Sequence, residues 1–201
     1  MFKTIKENAF AEIVEKKSKF IANVFYVESR EEAENIIKEI NKKYHDARHN
    51  CYAYRIIGEE RIIEKASDDG EPSGTAGGPM LNILSKNNLG NILVVVTRYF
   101  GGILLGTGGL VKAYSSACML GLENAEIIEK SIGDLYKIEI NYTDVDKFKY
   151  FAKNNDIILL KEEYFENVIL EIAIKKENVL KNIINKEINV KKIEFVKKTY
   201  V

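Results

Sequence analysis

Between residues 66 and 116 the chain carries ten of its 13 glycines and only six charged side chains, although the chain as a whole is 30% charged. Glycine reaches left-handed backbone conformations at no steric cost and lets other groups approach the main chain, but its extra entropy loss on folding makes it a poor choice for packing alone. The window therefore specifies loops of defined shape, and the remaining elements have to hold them. Two loops stand out. The first reads Ser67-Asp68-Asp69-Gly70-Glu71-Pro72-Ser73-Gly74-Thr75-Ala76-Gly77-Gly78-Pro79, and the second reads Arg98-Tyr99-Phe100-Gly101-Gly102-Ile103-Leu104-Leu105-Gly106-Thr107-Gly108-Gly109.

Hydrophobic periodicity assigns the elements around these loops. Alternating stretches at 11–14 and 20–27 read as a hairpin. Ser29 with Glu32 three residues later is a capping box, and Ala33, Ile36, Ile37, Ile40 and Tyr44 recur at helical spacing, which predicts an amphipathic helix over 29–44. Residues 51–57 and 61–65 alternate about Gly58 as a second hairpin; 81–84 lies in a short helix after Pro79, 92–97 is a buried strand and 110–122 a buried helix. Near 130–133 charges return to every few residues and glycine disappears after Gly133, which places a boundary between a first domain, 1–130, and a second, 134–201. The second domain reads strand 135–142, helix 145–154, strand 157–164, strand 168–175, helix 177–185 and strand 190–199. That is the βαββαβ order of a ferredoxin-like split unit, so the expected fold class is α+β.

Lys plus Arg equals Asp plus Glu at 30 each, so no global field draws the chain toward nucleic acid or an anionic membrane, and any such binding must come from a local patch. Cys51 and Cys118 lie far apart without CxxC spacing, which fits buried thiols in a reducing cytosol. Lys3, Lys6 and Glu7 interrupt the first ten residues, leaving no apolar segment for secretion, and the longest apolar run, 92–96, is too short to span a bilayer. A cytoplasmic location with no membrane partner is expected.

The first loop offers Asp68, Asp69, Glu71, Ser73 and Thr75. They either cap backbone donors inside a long turn or line a polar site. Their spacing fails the calcium-loop pattern, magnesium on one or two carboxylates is weakly supported, and no metal or other cofactor is assigned. The second loop runs from a buried strand into a helix starting near Leu110, an arrangement that presents free N–H groups and a positive helix end to an anion. Arg98 and Lys112 would supply charge, Tyr99 a stacking surface, and Gly101, Gly102, Gly106, Gly108 and Gly109 accessible backbone. Thr107 follows Gly106 where a Walker loop needs Lys, and the dinucleotide GxGxxG pattern is absent, so nucleotide hydrolysis lacks a motif. His45 and His49 would form a metal pair only on a continuing helix; a polar lining or a structural hydrogen bond is the preferred reading. Cys51 reads as the start of a buried strand in preference to a nucleophile. Lys191, Lys192, Lys197 and Lys198 flank the last strand, where they either solubilise an edge or meet phosphates.

The strings Ser67-Asp68-Asp69-Gly70-Glu71-Pro72-Ser73-Gly74-Thr75-Ala76-Gly77, Val94-Val95-Val96-Thr97-Arg98-Tyr99-Phe100-Gly101-Gly102 and Gly106-x-Gly108-Gly109-Leu110-Val111-x-Ala113-Tyr114 resemble the YigZ/IMPACT family. The shorter strings Ser18-Lys19-Phe20-Ile21-Ala22 and His49-Asn50-Cys51-x-Ala53-Tyr54 resemble it more weakly. The likeness spans the first domain, and the second is similar to the small C-terminal domain of bacterial members. It implies a left-handed βαβ topology like that of a small-subunit ribosomal protein and elongation factor G, followed by a ferredoxin-like domain. Binding to RNA or the ribosome, with a role in regulating translation, is the expectation that follows; DNA is not an expected partner. The kinase-linked role of eukaryotic members runs through an added N-terminal domain not found in this sequence and is not expected to transfer. Many members resemble a basic Lys or Arg at the place of Gly78, so Arg98 and Lys112 would have to carry the phosphate charge here. A peptidase reading finds no supporting set of paired carboxylates, histidine and metal. The rival expectation is an enzyme acting on a small phosphorylated or acidic ligand, with Asp68, Asp69 and Glu71 facing the second loop across a cleft. Whether the loops meet, and the oligomeric state, are left open by the residues.

Overall fold

The computed structural model describes residues 1–175 and 188–201. Contacts divide the chain into two compact units, Phe2–Glu129 and Lys130–Val201 together with Met1.

In the first unit, β1 (Phe2–Ile5) pairs with β7 (Ile127–Lys130), and five further strands build an antiparallel sheet. These are β2 (Ala9–Glu15), β3 (Ser18–Tyr26), β4 (His49–Ile57), β5 (Ile62–Ser67) and β6 (Ile92–Tyr99), in the order β2-β3-β6-β4-β5. Its centre is β6, where an uninterrupted apolar run is buried on both faces, as such a run requires. Leu93 and Val95 join Ala33, Ile37 and Ile40 of α1 (Arg30–Lys43), while Val94 and Val96 join Met80 and Leu84 of α2 (Gly77–Lys86) and Leu110 and Ala113 of α3 (Gly106–Glu123). Because β3 and β4 are both antiparallel to β6, they run parallel to each other, with α1 as their connection and β6 between them.

The N-cap forms as read, with Ser29 Oγ accepting from the Glu32 N–H at 3.1 Å, but the Glu32 carboxylate reaches one residue further back and accepts from the Glu28 N–H at 2.8 Å in place of that of Ser29. Two helices start earlier than their apolar pattern indicates, α2 at Gly77 instead of 81 and α3 at Gly106 instead of 110. The short pair β1 and β7 was not anticipated, since four residues are too few to show an alternation. At the β2–β3 turn Lys16 and Lys17 adopt φ of 46° and 65°, the left-handed pair that a two-residue hairpin needs.

The second unit contains β8 (Ile132–Ile140), α4 (Val145–Asn154), β9 (Ile157–Tyr164), β10 (Val168–Ile174) and β11 (Val190–Tyr200), with antiparallel sheet order β11-β8-β10-β9. Numbered within the unit this is 4-1-3-2, the ferredoxin-like order, around a core that includes Ile138, Phe148, Leu170 and Ile172. The helix expected over 177–185 lies outside the described residues. Strand residues of alternating sign pair off, as Lys137 with Glu171 at 3.3 Å and Lys161 with Glu163 at 2.8 Å. On the basic edge, Lys192 pairs with Glu194, Lys198 with Asp134, and Lys191 donates to Asn167, which neutralises much of the cluster locally. No described helix is long and apolar enough to cross a membrane.

Leu84 is fully buried between α2 and the sheet. Replacing it with Ala should destabilise the first unit by roughly 2–5 kcal/mol, read as a lowered midpoint in urea denaturation.

Candidate functional site

Sheet register brings the site together. His49 and Arg98 are directly opposed partners on β4 and β6, so their side chains stand on the same sheet face, the one covered by α2 and α3. The first loop folds back over them. Glu71, 9% exposed, accepts from Arg98 Nη1 at 2.5 Å and from the Tyr114 hydroxyl at 2.9 Å on the same oxygen, Oε1. The Arg98 guanidinium lies 5.5 Å from the Phe20 ring centre and 5.6 Å from that of Phe100, and Phe20 meets Tyr114 edge-on. His49 Nδ1 lies 2.7 Å from the Asp69 carbonyl, an acceptor only, so Nδ1 carries the proton and Nε2 of the neutral ring is a bare acceptor. Nε2 sits 3.8 Å from Glu71 Oε1, beyond hydrogen-bond reach.

A concave cavity of about 410 Å³ opens over this cluster. Its floor is His49, Glu71 and Arg98; the first turn of α3 contributes Gly106 and Thr107, and Arg48 and Phe100 also line it. Among the described residues no side chain caps the start of α3, and its first turn holds no acidic residue, so the helix presents free N–H groups and positive charge there. The two glycine-rich loops thus meet in one cleft.

Other residues singled out from the sequence have different positions. The Asp68 carboxylate accepts from the N–H groups of Gly74, Ala76 and Gly77 at 2.8–2.9 Å, capping α2 from eight residues before its N-cap. Gly77 is needed there because a Cβ would lie 2.6 Å from the Ser67 nitrogen. Asp69 accepts from the Asn50 N–H at 2.6 Å. Thr75 is buried and donates to the Pro72 carbonyl at 2.6 Å, while Ser73 is exposed outside the cavity. Of the first loop, Gly70, Glu71 and Pro72 line the cleft, so most of its polar residues act as caps and only one carboxylate faces a ligand space.

On the second side, Tyr99 follows Arg98 on a strand and therefore points to the opposite sheet face, where its hydroxyl donates to Asp46 at 2.8 Å. Lys112 is exposed on α3 and does not reach the cavity. Gly101 and Gly102 belong to the connection 100–105, whereas Gly106, Gly108 and Gly109 form the first turn of α3. A Cβ on Gly101 would come within 2.0 Å of the Lys17 backbone, which seats this connection on the β2–β3 turn. His45 and His49 do not share a helix face, because α1 ends at Lys43: His45 is exposed and His49 starts β4. Cys51 donates its thiol proton to the Asp68 carbonyl, and burial pushes its pKa up to about 12, so it is no thiolate nucleophile. Burial, with the neighbouring Cys51 and Glu71, also raises Tyr114, which stays a hydroxyl donor. Arg48 has no counterpart in the reading from sequence, as nothing local distinguishes it from other surface arginines.

Truncating Arg98 to Ala leaves the Glu71 carboxylate buried without its cation; a loss of roughly 3–5 kcal/mol should appear as a lowered Tm. Burial raises the Asp68 pKa, but the three backbone donors outweigh it and hold the group below the ordinary carboxylate range. Its contribution to stability is therefore complete above the unfolded value near ~4 and is lost as pH falls through the depressed folded value. Asp68→Asn should flatten this acid limb in stability measured against pH.

Residues 16–122 match the Impact N-terminal domain, and residues 138–181 match a domain of unknown function, DUF1949. The chain is 41% identical to the IMPACT family member YvyE of Bacillus subtilis over 87% of its own length and 80% of that protein. It is 35% identical to the IMPACT family member YigZ of Escherichia coli over 82% of its length and 81% of that protein. A crystal structure of a hypothetical protein superposes with a TM-score of 0.64 at 29% identity, covering 94% of this chain and 95% of the other. With both units matched in sequence order, the chain belongs to the IMPACT family.

Proposed function

We propose that this protein is a translation-associated factor whose first unit binds RNA or the ribosome, with a backbone phosphate seated in the cleft between the glycine-rich loops. The observation that carries this reading is the uncapped first turn of α3 opening into the same cavity as Arg48, whose guanidinium lies over the Phe100 ring at 5.7 Å and has no ion-pair partner among the described residues. Free N–H groups, a helix dipole and one available guanidinium make a local anion site on a chain whose net charge is zero. Exposed Lys16 and Lys17 stand where the second loop abuts the β2–β3 turn and extend the cationic surface beyond the cavity. Phe100, Ile103 and Leu104 are exposed beside them, and Phe100 offers an aromatic edge to an unstacked base. Support also comes from the likeness of the first domain to folds that handle RNA on the ribosome, which is an argument by analogy.

A second reading is favoured by the shape of the site. A cavity of about 410 Å³ with buried charged groups in its floor lies in the size range of small-molecule pockets, which suits an enzyme acting on a small phosphorylated or acidic ligand. The two separate by titration. A small ligand raises Tm in a saturable manner, whereas binding through RNA phosphates weakens linearly in log affinity against log salt.

Co-sedimentation of the purified protein with ribosomes at low and moderate salt tests the first reading. Native protein should pellet in a salt-sensitive manner, and Arg48→Ala should pellet less while keeping its Tm. Absence from the pellet at both salt levels would transfer the proposal to the small-ligand reading.

A further inference from the structure

A phosphate site has no use for a carboxylate, yet the floor of this cleft contains one. Glu71 presents Oε1 to Arg98 and Tyr114, while Oε2 makes no hydrogen bond among the described residues. Beside it His49, 9% exposed, lines the same cavity with Nε2 unprotonated in the neutral ring, held in that tautomer by the Asp69 carbonyl. Arg98 Nε is buried there without a hydrogen-bond partner among the described residues. The cleft therefore has two chemical ends. One supplies donors, the first turn of α3 with Arg48, and asks for an anion. The other supplies acceptors, Glu71 Oε2 and His49 Nε2, and asks for a hydroxyl or amine hydrogen. Phosphate alone satisfies only the first end.

A nucleic-acid unit that carries both groups next to each other is a ribonucleotide, whose phosphate accepts and whose 2′-hydroxyl donates; deoxyribose has lost the donor. Carboxylates reading a ribose hydroxyl beside a helix N-terminus that holds phosphate are a recurrent solution of the same problem in dinucleotide sites. We propose that the cleft takes one unstacked ribonucleotide of single-stranded RNA, with its phosphate at the start of α3 beside Arg48 and its 2′-hydroxyl donating its one hydrogen to Glu71 Oε2 next to His49. This rests on the RNA-binding reading above and deepens it: the site discriminates RNA from DNA by chemistry, not by charge. Glu71 then has two roles on its two oxygens, structural on Oε1 and recognition on Oε2.

The test changes the ligand before it changes the protein. Three fluorescein-labelled oligonucleotides of equal length, oligouridylate, oligodeoxyuridylate and 2′-O-methyl oligouridylate, are titrated into native protein at fixed low salt and followed by anisotropy. The three carry the same bases and charge. Oligouridylate should bind at least about tenfold more tightly than either of the others, because without the donor the Glu71 carboxylate oxygen is left unpaired in the cleft. Glu71→Gln should reduce this ratio toward one, while Arg48→Ala should weaken all three alike; should Glu71→Gln fail to fold, the ligand series on the native chain decides alone. Equal, salt-sensitive affinity for the three would overturn the ribose reading and leave phosphate binding standing. Ribosome co-sedimentation without oligouridylate binding also overturns it, whereas failure of both assays removes the RNA-binding reading on which it rests.

Discussion

Glu71 and Arg98 come from the two glycine-rich loops, twenty-seven residues apart, and their contact holds the first loop onto the central strand. Burying two opposite charges costs desolvation that their attraction alone does not recover, so such a pair persists where further hydrogen bonds and packing complete it. Here Tyr114 from α3 adds a third hydrogen-bonding partner, and the Phe20 ring lies beside the guanidinium. The pair consequently ties together loop, sheet and helix. Each of these three elements contributes one wall of the cleft, and the geometry of the cleft follows from the pair.

The polar groups of the first loop divide into supports and one buried carboxylate that lines the cleft. Asp68 organises the turn and caps α2, Asp69 fixes the start of β4 and the ring of His49, and Thr75 closes the turn internally. Rigid backbone donors around a carboxylate make the loop independent of its surroundings, as a site requires if its ligand groups are to stay in place between binding events. The glycines serve the same end: Gly77 and Gly101 allow backbone segments to lie closer than any side chain permits.

Features that depend on neighbours in sequence were legible, and features that depend on neighbours in space were not. The N-cap at Ser29, the buried run of β6 and the βαββ start of the second unit all follow from local pattern, and they appear in the structure. Helix α2 starts early because its cap is a carboxylate eight residues upstream of its N-cap, which no scan of the first turn can find. Glycines at the head of α3 have low helix propensity and disguise a helical turn as a loop. Tyr99 and Lys112 were grouped with Arg98 by proximity along the chain, although strand alternation and helix phase, both available from sequence, put them on other faces. His49 was noticed, but its position opposite Arg98 depends on strand register, and Arg48 carried no signal.

The strand at the centre of the five-stranded sheet is also the last of the five to occur in the chain. During synthesis the β2–β3 and β4–β5 hairpins can each close on themselves, but they have no hydrogen bonds to one another, since every ladder between them passes through β6. Until residues 92–99 emerge, the chain consists of two separate ribbons with open edges, and neither half of the cleft has its floor. Insertion of β6 joins the ribbons and delivers Arg98 to Glu71 and His49 in the same event. Completion of the sheet thus sets the floor of the cleft, and the start of α3, which follows β6 in the chain, then adds its anion end.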